Sequence, residues 1–275
     1  MMTALGHFIV SHTQWLYTRL WESPVFFIDL WSVAHAWSGF VLMALAVRLR
    51  VGRAWWSVGA VLMAYELVEL GFIAIAFHAF HPESLKDQLT DLAVGFAGAA
   101  VARRVCSPRV SDAFRASFTP VLAGGTIAFV WVGSYGYVYS APAFNSPGLN
   151  AWAFALWTSL LAFLGFFERT LRTRLPRATG RFASSTFVYA AILGVAEYLG
   201  HWVFEIREVG HPGALPLTMG LIHGTPALHA FYVTAPLWAA LAHRALAWLL
   251  ARPLSVEVAA GAGDGVADLS AGAAG

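Results

Sequence analysis

The chain has 275 residues, of which 59% are hydrophobic and only 12% charged, with 17 Lys and Arg against 15 Asp and Glu. Its mean hydropathy is +0.64 and its sequence pI about 8.9. A soluble domain averages about 25% charged residues, so a single water-soluble globule is excluded. One cysteine, Cys106, excludes an intrachain disulfide and a cysteine-rich zinc module, while a metal held by His and carboxylate side chains stays open.

In chain order, residues 1–24 are expected to form an amphipathic segment at the membrane surface, with Leu5, Phe8, Ile9, Trp15, Leu16 and Leu20 on its apolar side. No secretory signal is expected, because His7, Ser11, His12 and Gln14 interrupt the stretch before the first cation, Arg19. The transmembrane domain covers 25–252. Apolar runs near 28–47, 55–77, 88–105, 117–138, 150–167, 182–204 and 221–243 each approach the ~20 helical residues that cross a ~30 Å hydrocarbon core. They predict an all-α polytopic membrane bundle of about seven transmembrane helices. Most prolines fall between the runs, but Pro226 and Pro236 predict a kinked or broken last helix. Residues 253–275, rich in Gly and Ala, read as a disordered tail.

Orientation follows from the cations. Arg48, Arg50 and Arg53 follow the first run; Arg103, Arg104, Arg109 and Arg115 the third; Arg169, Arg172, Arg174, Arg177 and Arg181 the fifth; Arg244 and Arg252 the seventh. Only Arg19, Lys86 and Arg207 are left for the other side, which puts the N-terminus outside and the C-terminus in the cytoplasm. The cations are thereby explained by topology, and nucleic-acid binding is unsupported.

That topology gathers the ionisable residues in the outer halves of the runs. Asp29 and His35 fall in the first run, Glu66 and Glu69 in the second, Asp87 and Asp91 at the start of the third, Glu197, His201 and Glu205 in the sixth, and His223 and His229 in the seventh. Asp87 and Asp91 are four apart, as are Glu197, His201 and Glu205, so each set is expected on one helical face. A charge at the bilayer centre costs ~3 kcal/mol or more, so these groups are expected to be paired in a polar cavity open to the outside, with the cytoplasmic halves nearly devoid of such groups. A lone His35 on an apolar helix also reads as a hydrogen-bonded packing residue, and His78, His81 and Glu83 as solvated loop residues. Trp21, Trp31, Trp55, Trp56, Trp131 and Trp152 read as interfacial anchors.

Residues 28–104 resemble the VanZ-like and related small inner-membrane families, through Asp29, His35 and Gly39 in IDLWSVAHAWSG, Glu66 in AYELVE, and Asp87, Asp91, Gly95 and Gly98 in KDQLTDLAVGFAG. The spacing of Asp29 and His35 departs from that pattern, as does Glu69 where such families often have Gln. The resemblance implies an envelope or lipid-related role in a bacterial inner membrane. AYELVELGFIAIAFHAFHP and AEYLGHWVFEIREVGHP each place an acid before His-Pro, which suggests a parallel 3+1+3 duplication with repeats 28–105 and 150–244. In topology, and in having His35, Ser38, an aspartate and late histidines, the chain also resembles seven-span zinc hydrolases of the ceramidase and adiponectin-receptor type, although His223 and His229 are six apart where those families have His-x-x-x-His.

These readings converge on a membrane-embedded, metal-dependent enzyme acting on a lipid or other lipophilic substrate from the outer side, with membrane lipids as its surroundings. The expected ligands of a divalent metal, zinc or iron, are His35, Glu66, Asp87, Asp91, Glu197, His201, His223 and His229, with Glu66 and Glu69 as catalytic acids and Glu69 the general base toward metal-bound water. Three rivals stand beside it: a proton-coupled carrier, a b-type haem protein using two of His35, His201, His223 and His229, and a non-catalytic envelope subunit.

Overall fold

The computed structural model describes residues 12–72, 84–211, 215–217 and 222–251, with the backbone alone for 70–72, 215–217 and 222–223. Among them are seven α-helices: α1 Leu30–Arg48, α2 Ala54–Phe72, α3 Leu85–Val105, α4 Asp112–Tyr135, α5 Ala151–Leu171, α6 Ala178–Tyr198 and α7 Pro226–Leu250. Five segments, Leu30–Arg48, Asp112–Tyr135, Ala151–Leu171, Ala178–Val203 and Pro226–Leu250, are long and apolar enough to cross a membrane. The outside of the bundle is correspondingly apolar: Trp56, Leu67, Leu156, Phe187 and Val233 are each more than 60% exposed. Water would not tolerate so extensive an apolar surface on a monomer; this is the exterior of an integral membrane protein.

Local sequence explains where the helices start. Asp29, Ser84, Ser111, Asn150 and Thr225 each accept a backbone N–H of the first turn of α1, α3, α4, α5 and α7, as expected of N-cap residues. Asp29 and Ser32 form a reciprocal capping box. Asp29→Ala is therefore expected to destabilise the protein by about 1 kcal/mol and Asp29→Asn by much less, as read by thermal unfolding in detergent. At the other end of α3, buried Arg115 donates to the carbonyls of Val105 and Ser107 and to Asp112, so one of the cations counted toward topology also satisfies a helix terminus.

Glycine determines how α1 and α3 pack. A Cβ on Gly39 would lie 1.8 Å from the carbonyl oxygen of Gly95, and one on Gly98 would lie 1.9 Å from that of Ala36. The two backbones therefore touch, in parallel, as small residues allow in membranes. Contacts of His35 with Glu66 and of Gly95 with Leu62 set α2 antiparallel to both. In the second half, α4 packs antiparallel on α5 through Gly124 against Ala162 and Gly165 against Pro120, and Trp131 stacks on Phe231 of α7. One cluster of buried residues joins α1, α2 and α3 to Ala123 and to the end of α7, and another joins α4 through α7. Direction alternates along the chain, so the arginine clusters share one end of the bundle and Asp29, Glu69, Asp87 and the 136–150 loop share the other.

The structure differs from the sequence expectation at four places. Of the amphipathic segment expected over 1–24, residues 1–11 lie outside the described residues; beyond a 3-10 turn at Gln14–Tyr17 the chain forms an antiparallel hairpin of β1 (Arg19–Glu22) and β2 (Phe27–Asp29) in place of helix. Ser23 and Pro24 favour that turn, and Lys86 Nζ ties it to α3 through Glu22 Oε1 at 2.8 Å. This hydrogen bond, with Arg19 nearby, holds the Glu22 carboxyl below its ordinary pKa. Pro226 does not break α7: it occupies the first turn, where a missing N–H is harmless, and the helix continues through Pro236. Finally, α6 ends at Tyr198 and passes into a π turn over Leu199–Val203, and Glu205 lies beyond it at φ 55°. Glu205 therefore does not share a helical face with Glu197. His223 belongs to a hairpin of β3 (Leu215–Leu217) and β4 (Ile222–Gly224) that precedes α7.

Candidate functional site

Two polar centres form at the acid-rich end. In the first, Asp29, Ser32, His35, Glu66 and Asp91 are all buried between α1, α2 and α3. The close α1–α3 approach brings Asp91 to His35, and the antiparallel run of α2 brings Glu66 to the other edge of the ring. Nδ1 of His35 is 3.5 Å from Glu66 Oε1, and Nε2 is 3.5 Å from Asp91 Oδ2. The Ser32 hydroxyl donates to Asp91 Oδ1 at 2.8 Å, and Trp31 Nε1 donates to Glu69 Oε1 at 3.3 Å. Each nitrogen of the imidazole thus faces one carboxylate, and the three side chains form a buried triad.

The second centre is a cavity of about 640 Å³ between α5, α6 and the start of α7, within the ~300–1,000 Å³ usual for small-molecule sites. It exists because α6 stands off from the bundle: only Ser185, Tyr189 and Leu193 of its 21 residues are buried. Leu156, Leu160, Phe163, Ile192 and Leu193 line its apolar length, and Trp152 and Trp157 its wall. Glu197, His201, Arg207 and Glu208 lie at its polar end. The Tyr232 hydroxyl donates to Glu197 Oε1 at 2.5 Å, and Glu208 accepts from the Gly210 N–H and pairs with His211.

The roof of the cavity is a backbone zipper. Val209 donates to the Val138 carbonyl and Ser140 to that of Arg207, while Asn150 holds the same loop by donating to the carbonyls of Tyr137 and Phe144. Beneath it the Tyr137 hydroxyl accepts from the indole N–H groups of Trp131 and Trp157. Burial raises the pKa of that hydroxyl well above its ordinary value, so it remains a neutral spacer.

Of the residues expected at one metal centre, His35, Glu66 and Asp91 meet in the first group, with Asp87 on the first turn of α3; Glu197 and His201 meet in the second. The backbone of His223 is in β4 and its side chain lies outside the described residues, as do His78, His81 and Glu83. His229 is on the first turn of α7 and is not among the residues lining the cavity. Among the described residues no three His, Cys, Asp or Glu side chains converge as metal ligands. Geometry gives the reason: the two nitrogens of an imidazole diverge, so one ion cannot take His35 together with both of its carboxylates.

Sequence reasoning missed Ser32, Arg207, Tyr232 and Tyr139, the last a further residue lining the cavity; they carry no charge-depth signal or lie in a loop. It also expected the arginine-rich end to be nearly free of polar groups, whereas Glu168, Ser185 and His243 are buried there. No protein-family model matches the chain, and neither the curated proteins nor the solved structures give a match.

Proposed function

We propose that the chain spans a bacterial inner membrane seven times, with its N-terminus outside, and takes a lipophilic molecule into the α5–α6–α7 cavity from the outer side, where Glu197 acts on its polar end as an acid–base group. The carrying observation is the cavity itself, an apolar length ending in Glu197, His201, Arg207 and Glu208. Glu197 has one oxygen engaged by Tyr232, which orients the carboxylate and leaves the other to meet a hydroxyl or ammonium. The segregation of arginines at one end supports the orientation, and the tight packing of α2 and α3 on α1 supports counting them as spans. The VanZ-like character of 28–104 fits an envelope role for the first three helices. Glu66 and Glu197 each lie on the middle helix of a three-helix unit, as a parallel duplication requires.

A pyrene-labelled long-chain alcohol, excited by energy transfer from Trp152 and Trp157, tests the site in detergent-purified protein. Saturable binding is expected, weakened roughly tenfold or more by Ala196→Trp, which fills the cavity wall. Wild type without saturable binding, or Ala196→Trp with unchanged affinity, removes the reading.

A further inference from the structure

Every fourth residue of α6 and its π turn belongs to one ridge that winds around the helix: Arg181, Ser185, Tyr189, Leu193, Glu197 and His201. All but Leu193 are polar, and they run from the arginine-rich end to the cavity. Where Leu193 interrupts the ridge, α7 supplies Tyr232, whose hydroxyl reaches Glu197. Pro236 explains why Tyr189 belongs to this line. Proline has no N–H to give the carbonyl four residues back, which is that of Tyr232, and the Tyr189 hydroxyl donates to that carbonyl at 2.9 Å instead.

At the arginine-rich end of the same three helices is a small chamber of about 20 Å³, whose lining includes Glu168 of α5, Ser185 of α6 and His243 of α7. A water needs ~10–15 Å³ by this measure and several polar neighbours, so the chamber has room for one. Ser185 is 6% exposed, and its hydroxyl has no hydrogen-bond partner among the described residues, as expected of a group whose partner is a water. The chamber is also charged. Arg181 Nε lies 4.0 Å from Glu168 Oε1, and Arg169, Arg172 and Arg244 act on His243 along with Glu168.

We propose that Glu168, Ser185, His243 and a water between them form the cytoplasmic port of a proton path that runs along the α6 ridge, past Tyr189 and Tyr232, to Glu197 in the outer cavity. A proton taken up at Glu168 or His243 would pass along the ridge by way of water to Glu197 and leave into the cavity, so one positive charge crosses per proton and no bond to carbon changes. The path deepens the reading of Glu197 as an acid–base group by giving it a supply of protons from the opposite face.

The test is the internal acidification of proteoliposomes loaded with pyranine, driven by a valinomycin-clamped potassium potential. Wild type is expected to acidify several times faster than protein-free vesicles. Glu168→Gln and His243→Asn should remove most of the flux above the protein-free rate, Ser185→Leu, which fills the chamber, should bring it to the protein-free rate, and Ser185→Thr, which keeps the hydroxyl, should preserve most of it. Ser185→Ala cannot overfill the chamber and must also slow the flux. Wild type no faster than empty vesicles, or Ser185→Ala at the wild-type rate, overturns the proposal. Pyrene-alcohol binding in the same preparations separates the two readings: Ser185→Leu should still bind the alcohol, and a flux without alcohol binding would leave the path standing while removing the lipophilic site.

Discussion

Gly98→Val is expected to be among the most damaging single substitutions in the chain. The first atom it adds falls 1.9 Å from the Ala36 carbonyl oxygen, and backbone on both sides cannot give way as a flexible side chain would. Separating α1 from α3 also pulls Asp91 away from His35 and Ser32, so the substitution loses packing and a buried polar network together. Overpacking alone costs ~1–3 kcal/mol, and the loss of the network takes the total beyond that. Thermal unfolding followed by size-exclusion chromatography should show a much less stable or non-monodisperse variant. Gly180→Ala is the matched control: a Cβ there meets nothing within 4 Å, and replacing glycine inside a helix is expected to stabilise by ~0.5–1 kcal/mol. Equal behaviour of the two variants would show that α1 and α3 are not in backbone contact.

His35→Leu is the second large effect. Glu66 and Asp91 have side chains 6% and 2% exposed, and leucine keeps the volume while removing the group between them. Deleting one member of a buried polar arrangement leaves its partners unsatisfied, at a cost of ~1–3 kcal/mol each. Adding Glu66→Gln and Asp91→Asn should recover much of that loss, because neutral amides no longer leave bare carboxylates in an apolar interior. A His35→Leu protein that unfolds at the wild-type temperature, or a triple variant no better than the single one, would refute the triad as a structural unit. In the fold described above, the same substitution should leave pyrene-alcohol binding at the α5–α6–α7 cavity intact in whatever fraction remains folded, since the cavity is lined by other helices.

The depth and spacing of charge brought the reading close to both polar centres without showing that there were two. His35, Glu66 and Asp91 were legible because an acid or imidazole inside an apolar helix needs a partner, and these lie on the three helices that pack together. Glu197 and His201 were legible for the same reason. What merged them into one expected metal centre was the assumption that residues at one depth share one cavity; depth fixes a coordinate along the membrane normal and says nothing of position in its plane. Tyr232 and Arg207 had no such signal, and Ser185 became visible only once its hydroxyl was seen lining a chamber. The polar ridge of α6 was present at every fourth residue, but most of its members are uncharged.

Composition and the placement of arginines alone pointed to a mainly helical membrane protein whose helices alternate in direction, because an apolar segment in lipid must satisfy its own backbone and does so as a helix. Serine, aspartate, asparagine and threonine before the apolar runs likewise determined where most helices begin. Only the tertiary structure decided which helices touch. The α1–α3 contact depends on glycines meeting across a gap of over fifty residues, and the cavity depends on α6 standing away from its neighbours. Both are properties of packing between distant segments, which hydropathy and helical periodicity, being local, do not contain.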